Sequence, residues 1–282
     1  MQTTRIIKNK KGVTLIELLI ALIISALLIA GIYNTFIGQQ KTYIVQEQVV
    51  DMQQNLRAGI NKMMREIRMA GFGGLEGVLN NGGVNGFTQP ITANQTTITI
   101  IGGFKQIRNT NGDPITVDSA SGNTVILNNT PELKEFDSAA KRFISIGGVE
   151  SSKFQIDGKV LTLEKKLKYN HPKGTPIFKI QAITYSVGQS GGKPSLLRNE
   201  NTEEGNQPLA DNIENIQFEY FDENGNPLAF PISDPKLIRM VRVTVTARTD
   251  RLDPDFKSGD GYRRRTITSN IYVRNMEFYQ EF

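Results

Sequence analysis

The chain has 282 residues, no cysteine and one histidine, His171. Disulfide scaffolds, thiol catalysis and thiolate metal sites are thereby excluded, and histidine-based catalysis or metal binding would rest on a single residue. The net charge of +5 is concentrated at the start: the first twelve residues hold Arg5, Lys8, Lys10 and Lys11 and no acid, whereas residues 71–282 carry 24 bases and 24 acids. A nucleic-acid reading based on overall charge therefore loses most of its support.

Residues 13–32, VTLIELLIALIISALLIAGI, are apolar apart from one charge, Glu17. At about 1.5 Å per residue this run spans roughly 30 Å, the hydrocarbon thickness of a bilayer. The basic flank predicts a cytoplasmic N-terminus and a body outside the cytoplasm. Three readings compete. A cleaved secretory signal has a shorter apolar core and a small-residue cleavage site, and here the run passes straight into Tyr33-Asn34-Thr35. A plain signal anchor explains the run and its flank but leaves Glu17 without a purpose, although a carboxylate in a bilayer costs about 2.5 kcal/mol or more.

The third reading gives Glu17 a role. Lys10-Lys11-Gly12-Val13-Thr14-Leu15-Ile16-Glu17, followed by the long apolar run, resembles the class III leader of type IV prepilins. The resemblance implies that prepilin peptidase cuts between Gly12 and Val13, that Val13 is N-methylated, and that Glu17 is the fifth residue of the mature chain. Val13 departs from the phenylalanine usual there. Gly12 has no Cβ to shield the scissile backbone. Once cut, the Val13 amine of one subunit can neutralise Glu17 of a neighbour, so Glu17 acts as an assembly register; a buried carboxylate without such a partner is far more costly. Thr14 belongs to the same assembly segment.

The first proline is Pro90, and nothing between Val13 and Ala70 stops a helix. Apolar residues beyond Tyr33 recur in steps of three, four and seven up to Ile67, the mark of one helical face. The run Gly71-Phe72-Gly73-Gly74 supplies the stop. A helix of about 58 residues is predicted, roughly 87 Å if unbroken. Its second half is amphipathic and suited to a sheet, with Met63 and Met64 as packing residues. Gly31 and Gly38 are its weak points.

From residue 75 the pattern turns to strands. Thr97–Ile101, Thr124–Leu127, Lys159–Leu163, Ile177–Val187, Asn212–Phe221, Ile238–Thr249 and Thr266–Arg274 are β-prone. Turns are read at 188–194 and 222–227, and 71–96 and 102–123 read as loops or irregular strands. Val241, Val243, Val245 and Ala247 alternate with Arg242, Thr244, Thr246 and Arg248, which predicts an antiparallel sheet with one wet face.

The C-terminal half resembles the PilW-like minor pilins. The residues that carry this are Ile183–Val187, Leu196-Leu197-Arg198, Leu209–Tyr220, Val241–Thr249, Tyr262–Arg265 and Ile271–Asn275. Many pilins close this region with a disulfide loop, which a chain without cysteine cannot form, so packing alone must secure it.

Other constellations point to no chemistry. Asp222-x-Asn224-x-Asn226 begins like a calcium loop, but Pro227 and Ser233 stand where glycine and glutamate are needed, so it reads as a hairpin turn. His171 lies in Asn170-His171-Pro172-Lys173-Gly174 and reads as a surface turn residue. The basic stretch Leu237–Arg274 reads as a solvated strand face or a subunit contact, with DNA binding as the less favoured use.

The sequence thus predicts an α+β, pilin-like protein: a leader at 1–12, a membrane and filament-core helix at 13–34, an amphipathic helix at 35–70, and a β-rich head at 71–282. The helix is expected to pack on an antiparallel sheet. No catalytic, cofactor or metal site is expected. The resemblance implies a minor pilin that initiates type IV pilus assembly, with a place near the tip. A minor pseudopilin of type II secretion and a DNA-binding minor pilin of an uptake pilus are the alternatives. Expected partners are prepilin peptidase, other minor and major pilins and, before assembly, inner-membrane lipid. The expected location is a single pass of the inner membrane and then a periplasmic or extracellular pilus.

Overall fold

The computed structural model describes residues 12–253, 255–257 and 259–279. The basic leader residues Arg5, Lys8, Lys10 and Lys11 lie outside them. The chain divides into two compact units between Val50 and Asp51. One helix, α1 (Leu15–Arg68), contributes to both.

In the first unit no described residue is buried, although most of Val13–Ile32 is apolar. An apolar surface on every side is suited to lipid or to neighbouring apolar helices, not to water. Three aliphatic hydroxyls along it are satisfied within the helix: Ser25 donates to the Ala21 carbonyl at 2.7 Å, Thr35 to Gly31 at 3.0 Å and Thr42 to Gly38 at 3.1 Å. Such i−4 bonds remove the need for an outside partner. The helix passes Gly31 and Gly38 without a break.

In the second unit the end of α1 becomes amphipathic. Met52, Leu56, Ile60, Met63 and Ile67 are buried at steps of three and four. The helix stops at Arg68, just before the glycine-rich run, where the Gly71 N–H leaves the helical pattern to bond the Ile101 carbonyl. A one-turn helix, α2 (Glu76–Leu79), follows.

The strands are β1 (Ile91–Ala93), β2 (Ile98–Gln106), β3 (Val117–Ser121), β4 (Thr124–Leu127), β5 (Phe143–Ile146), β6 (Glu150–Asp157) and β7 (Val160–Leu163), then β8 (Ile177–Ser190), β9 (Lys193–Asn199), β10 (Asn206–Asp211), β11 (Ile213–Phe221), β12 (Met240–Arg248) and β13 (Arg264–Tyr272). All their pairings are antiparallel. The larger sheet runs β1-β2-β8-β5-β6-β7-β4-β3, and the smaller runs β11-β12-β13. The 14-residue β8 is the spine. Its start pairs with β5 and its end with β9 along one edge, while β2 lies along the other. Strands β8 and β9 meet in the two-residue turn Gly191-Gly192, with φ of 56° and 78°. Two consecutive positive φ angles are the type I′ geometry that glycine admits without strain.

The end of α1 lies over β8, β9 and β10. A Cβ at Gly59 would come within 2.8 Å of Ala210 Cβ and 3.3 Å of a Leu196 methyl, so only glycine allows this approach. Glu66 reaches down to Arg198 of β9, whose Nε donates to it at 3.0 Å, and also accepts the Tyr185 hydroxyl. Arg198 donates in turn to Glu200 at 2.7 Å. The Glu66 and Arg198 side chains are each only 12% exposed.

A separate core lies under β3–β7, built from Val117, Val125, Leu127, Ile144, Phe154 and Leu161 among others. Strands β5 and β6 fall outside the β-prone segments read from the sequence, as do β1, β9 and β10. Residues 76–79 form a helix, and β2 continues through Gln106. β6 reads ESSKFQID and buries Ser151 and Ser152. Burial of small polar residues leaves no alternation of apolar type to detect.

Candidate functional site

The start of α1 is held by two residues. Thr14 precedes the first helical residue, Leu15, and Glu17 is the third position of the helix. The Glu17 backbone N–H donates to Thr14 Oγ1 at 3.3 Å. Glu17 Oε2 accepts the Thr14 N–H at 2.8 Å and the Thr14 hydroxyl at 2.9 Å. This is a reciprocal capping box, in which each residue satisfies an N–H that the first helical turn cannot. The carboxylate also sits at the positive end of the helix dipole.

Both intrachain bonds fall on Oε2, and among the described residues Oε1 has no partner. The box thus orients the carboxylate and leaves one oxygen open to another chain. Gly12 and Val13 precede the helix and are exposed, Val13 at 75%, so their shared peptide bond lies outside helical hydrogen bonding. The structure therefore brings Thr14 and Glu17 together and leaves Gly12 and Val13 free at the approach to the helix. The capping role of Thr14 is absent from the reading above, although Thr-x-x-Glu before an apolar run is its usual signature.

The other candidates fall into place as structure. His171 is a correction: the residue read as a surface turn is buried, its side chain 3% exposed, with Nε2 2.8 Å from Glu150 Oε2. Glu150 Oε1 accepts the Lys168 N–H at 2.6 Å, so this carboxylate clamps the turn from both sides. The turn chemistry of Asn-His-Pro-Lys-Gly is visible in sequence, but its packing against the start of β6 is not. Asp222 accepts the N–H of Asn224 at 2.9 Å and of Asn226 at 2.8 Å, an Asx-type turn joined to the Phe221–Pro227 bridge. Among the described residues no group of three or more His, Asp or Glu residues could hold a metal ion.

The basic C-terminal strands carry their own counter-ions. Arg264 donates to Glu214 at 2.6 Å and to Asp260 at 2.6 Å, and holds both carboxyls below their usual range. Arg263 pairs with Asp253 at 2.7 Å, and the Arg248 guanidinium stacks over the Tyr262 ring. Much of this charge is committed within the chain, which leaves less for phosphate contacts.

Residues 7–33 match the family model of the prokaryotic N-terminal methylation motif. No curated protein and no solved structure matches the chain. The match, together with the apolar helix of Leu15–Arg68, supports a type IV pilin-like or pseudopilin prepilin, anchored in the membrane by one N-terminal helix. It implies processing by prepilin peptidase and association with other pilins in a pilus.

Proposed function

We propose that this chain is a minor pilin of PilW-like type, a structural subunit that takes part in initiating type IV pilus assembly. Prepilin peptidase cuts between Gly12 and Val13, and Val13 is N-methylated. The head stays outside the cytoplasm while the apolar half of α1 waits in the inner membrane. The observation that carries this reading is Glu17, the one charge in the apolar run Val13–Ile32, held by Thr14 so that among the described residues one of its oxygens has no partner. A neighbouring subunit's Val13 amine fits that oxygen. The pair neutralises two charges that would each be costly in an apolar core. Minor status is supported by bulk, since residues 71–282 make a large head for a repeating shaft subunit.

The test is N-terminal mass spectrometry of the protein from sheared surface filaments and from membranes. A chain beginning at N-methylated Val13 in the filaments, at low copy number beside a major subunit, is the expected result. A chain beginning at Met1 and confined to membranes would overturn it. Recovery only with a type II secretion machine would replace the pilus by a pseudopilus and keep the assembly chemistry.

A further inference from the structure

Among the described residues each sheet path ends in a strand with no strand paired on its outer side, and proteins normally guard such edges. Here β1 has three residues, β3 has five and a register shift between Val117 and Ser119, and β10 carries Pro208 with a shift beside it. The Phe218 N–H of β11 bonds the Gln95 carbonyl. None of these devices protects β13. It is nine residues long, pairs with β12 without a register shift, contains no proline, and is uncharged from Thr266 to Tyr272.

The direction of its free groups follows from the ladder. Thr249 N donates to Arg263 O and Val273 N to Arg239 O, each at 2.9 Å, and both pairs continue the β12–β13 register. Bonded pairs alternate along an antiparallel ladder. The odd residues of β13 therefore face β12, and the N–H and C=O of Thr266, Thr268 and Asn270 point away from it. The strand is already ordered by side-chain bonds across to β12: Thr246–Thr266 at 2.9 Å, Thr244–Thr268 at 3.0 Å and Arg242–Asn270 at 3.0 Å. Arg265 is exposed at its first turn, and among the described residues no carboxylate pairs with it. Tyr272 ends it, 65% exposed.

We propose that the outer edge of β13 is a docking strand. It takes an extended segment of a neighbouring pilin-type subunit that carries a carboxylate where it passes Arg265. Main-chain bonds give the attachment and the acidic residue gives the selection. A second copy of this chain fits poorly, because β13 against β13 would bring more arginine and no acid. The proposal rests on the reading of the chain as a filament subunit.

Hydrogen exchange at single-residue resolution, on the full chain in detergent and in sheared filaments, tests it. The amides of Thr266, Thr268 and Asn270 should slow about tenfold or more on assembly. Thr268→Pro removes an N–H that no bond among the described residues uses. It should leave processing and the protection of β12 intact and reduce filament incorporation about tenfold. Should this proline disturb β12, Arg265→Glu decides: it should reduce incorporation, and Arg265→Lys should restore it. Equal exchange rates in a chain present in filaments would overturn the docking edge alone. Absence of the chain from filaments would overturn both this and the minor-pilin reading. The chain has no native cysteine, so a Thr268→Cys variant reports contacts of the edge; cross-linking only to another copy of itself would also overturn the proposal.

Discussion

The ion pair under α1 gives the sharpest quantitative test of how the helix is fastened to its sheet. Glu66 and Arg198 are each 12% exposed, with 3.0 Å between Arg198 Nε and Glu66 Oε2. Solvent screening is therefore weak at this pair. In Glu66→Gln the shape remains and the Tyr185 hydroxyl still has an acceptor, but among the described residues Arg198 keeps only Glu200 as a carboxylate partner. Loss of one charge-assisted bond puts the cost at about 1.5–3 kcal/mol. Glu66→Ala also orphans the hydroxyl and leaves Arg198 half-paired in a buried place, for about 3–5 kcal/mol. That is a large part of the ~5–15 kcal/mol that holds a typical domain together. Glu66→Ala combined with Arg198→Met should cost clearly less than the two single changes together, with a coupling of about 1.5 kcal/mol or more. The chain has eight tyrosines and no tryptophan, so tyrosine fluorescence during urea unfolding of the full chain in detergent is a suitable assay. A Glu66→Ala cost below about 1 kcal/mol, or additive behaviour in the double variant, would refute the pair as the fastening.

Glu17→Gln separates the two roles of that residue: glutamine keeps the capping box but not the charge. It should be processed normally and incorporate poorly, as should Glu17→Ala; normal incorporation of the glutamine variant would remove the charge pair from the account. Thr14→Val should cost the helix start about 1 kcal/mol, read as roughly fivefold faster amide exchange at Glu17 and Leu18, whose N–H groups bond Thr14, with Thr14→Ser restoring it. Glycine to alanine inside a helix normally gains about 1 kcal/mol. At Gly59 it should lose stability instead, because the new Cβ meets Ala210 at 2.8 Å; a raised urea midpoint would contradict the close packing. Burial raises the Tyr185 and Tyr220 hydroxyls above their usual range, and Glu66 adds to the effect at Tyr185. Their contribution is therefore whole below pH about 10 and is lost as pH climbs through the folded-state values. The urea midpoint should hold up to about pH 10 and fall above it, and a flat profile up to about pH 12 would count against it.

The long helix and the strands from β11 onward were legible because each has a local cause. Apolar residues at steps of three and four, no proline before Pro90, and strict alternation from Val241 to Ala247 can be read residue by residue. The motif at Gly12–Glu17 is likewise a matter of neighbours, and the family model that matches residues 7–33 reads the same segment. What remained hidden depends on partners far apart in the chain. Strand β6 buries serines, and Ser151 Oγ is held by the Gly74 carbonyl at 2.7 Å across 77 residues. His171 is interior because Glu150, 21 residues earlier, comes to meet it. Glu66 reads as one more polar residue of an amphipathic helix until Tyr185 and Arg198, more than a hundred residues on, close over it. The long helix with its apolar first half and the final strands follow from local periodicity and local hydrogen bonding, and the sequence alone determined them. Which polar groups are buried, and which strand edge is left open, was decided only by tertiary structure, because a buried polar group or an unpaired edge is defined by what the rest of the chain brings, or does not bring, beside it.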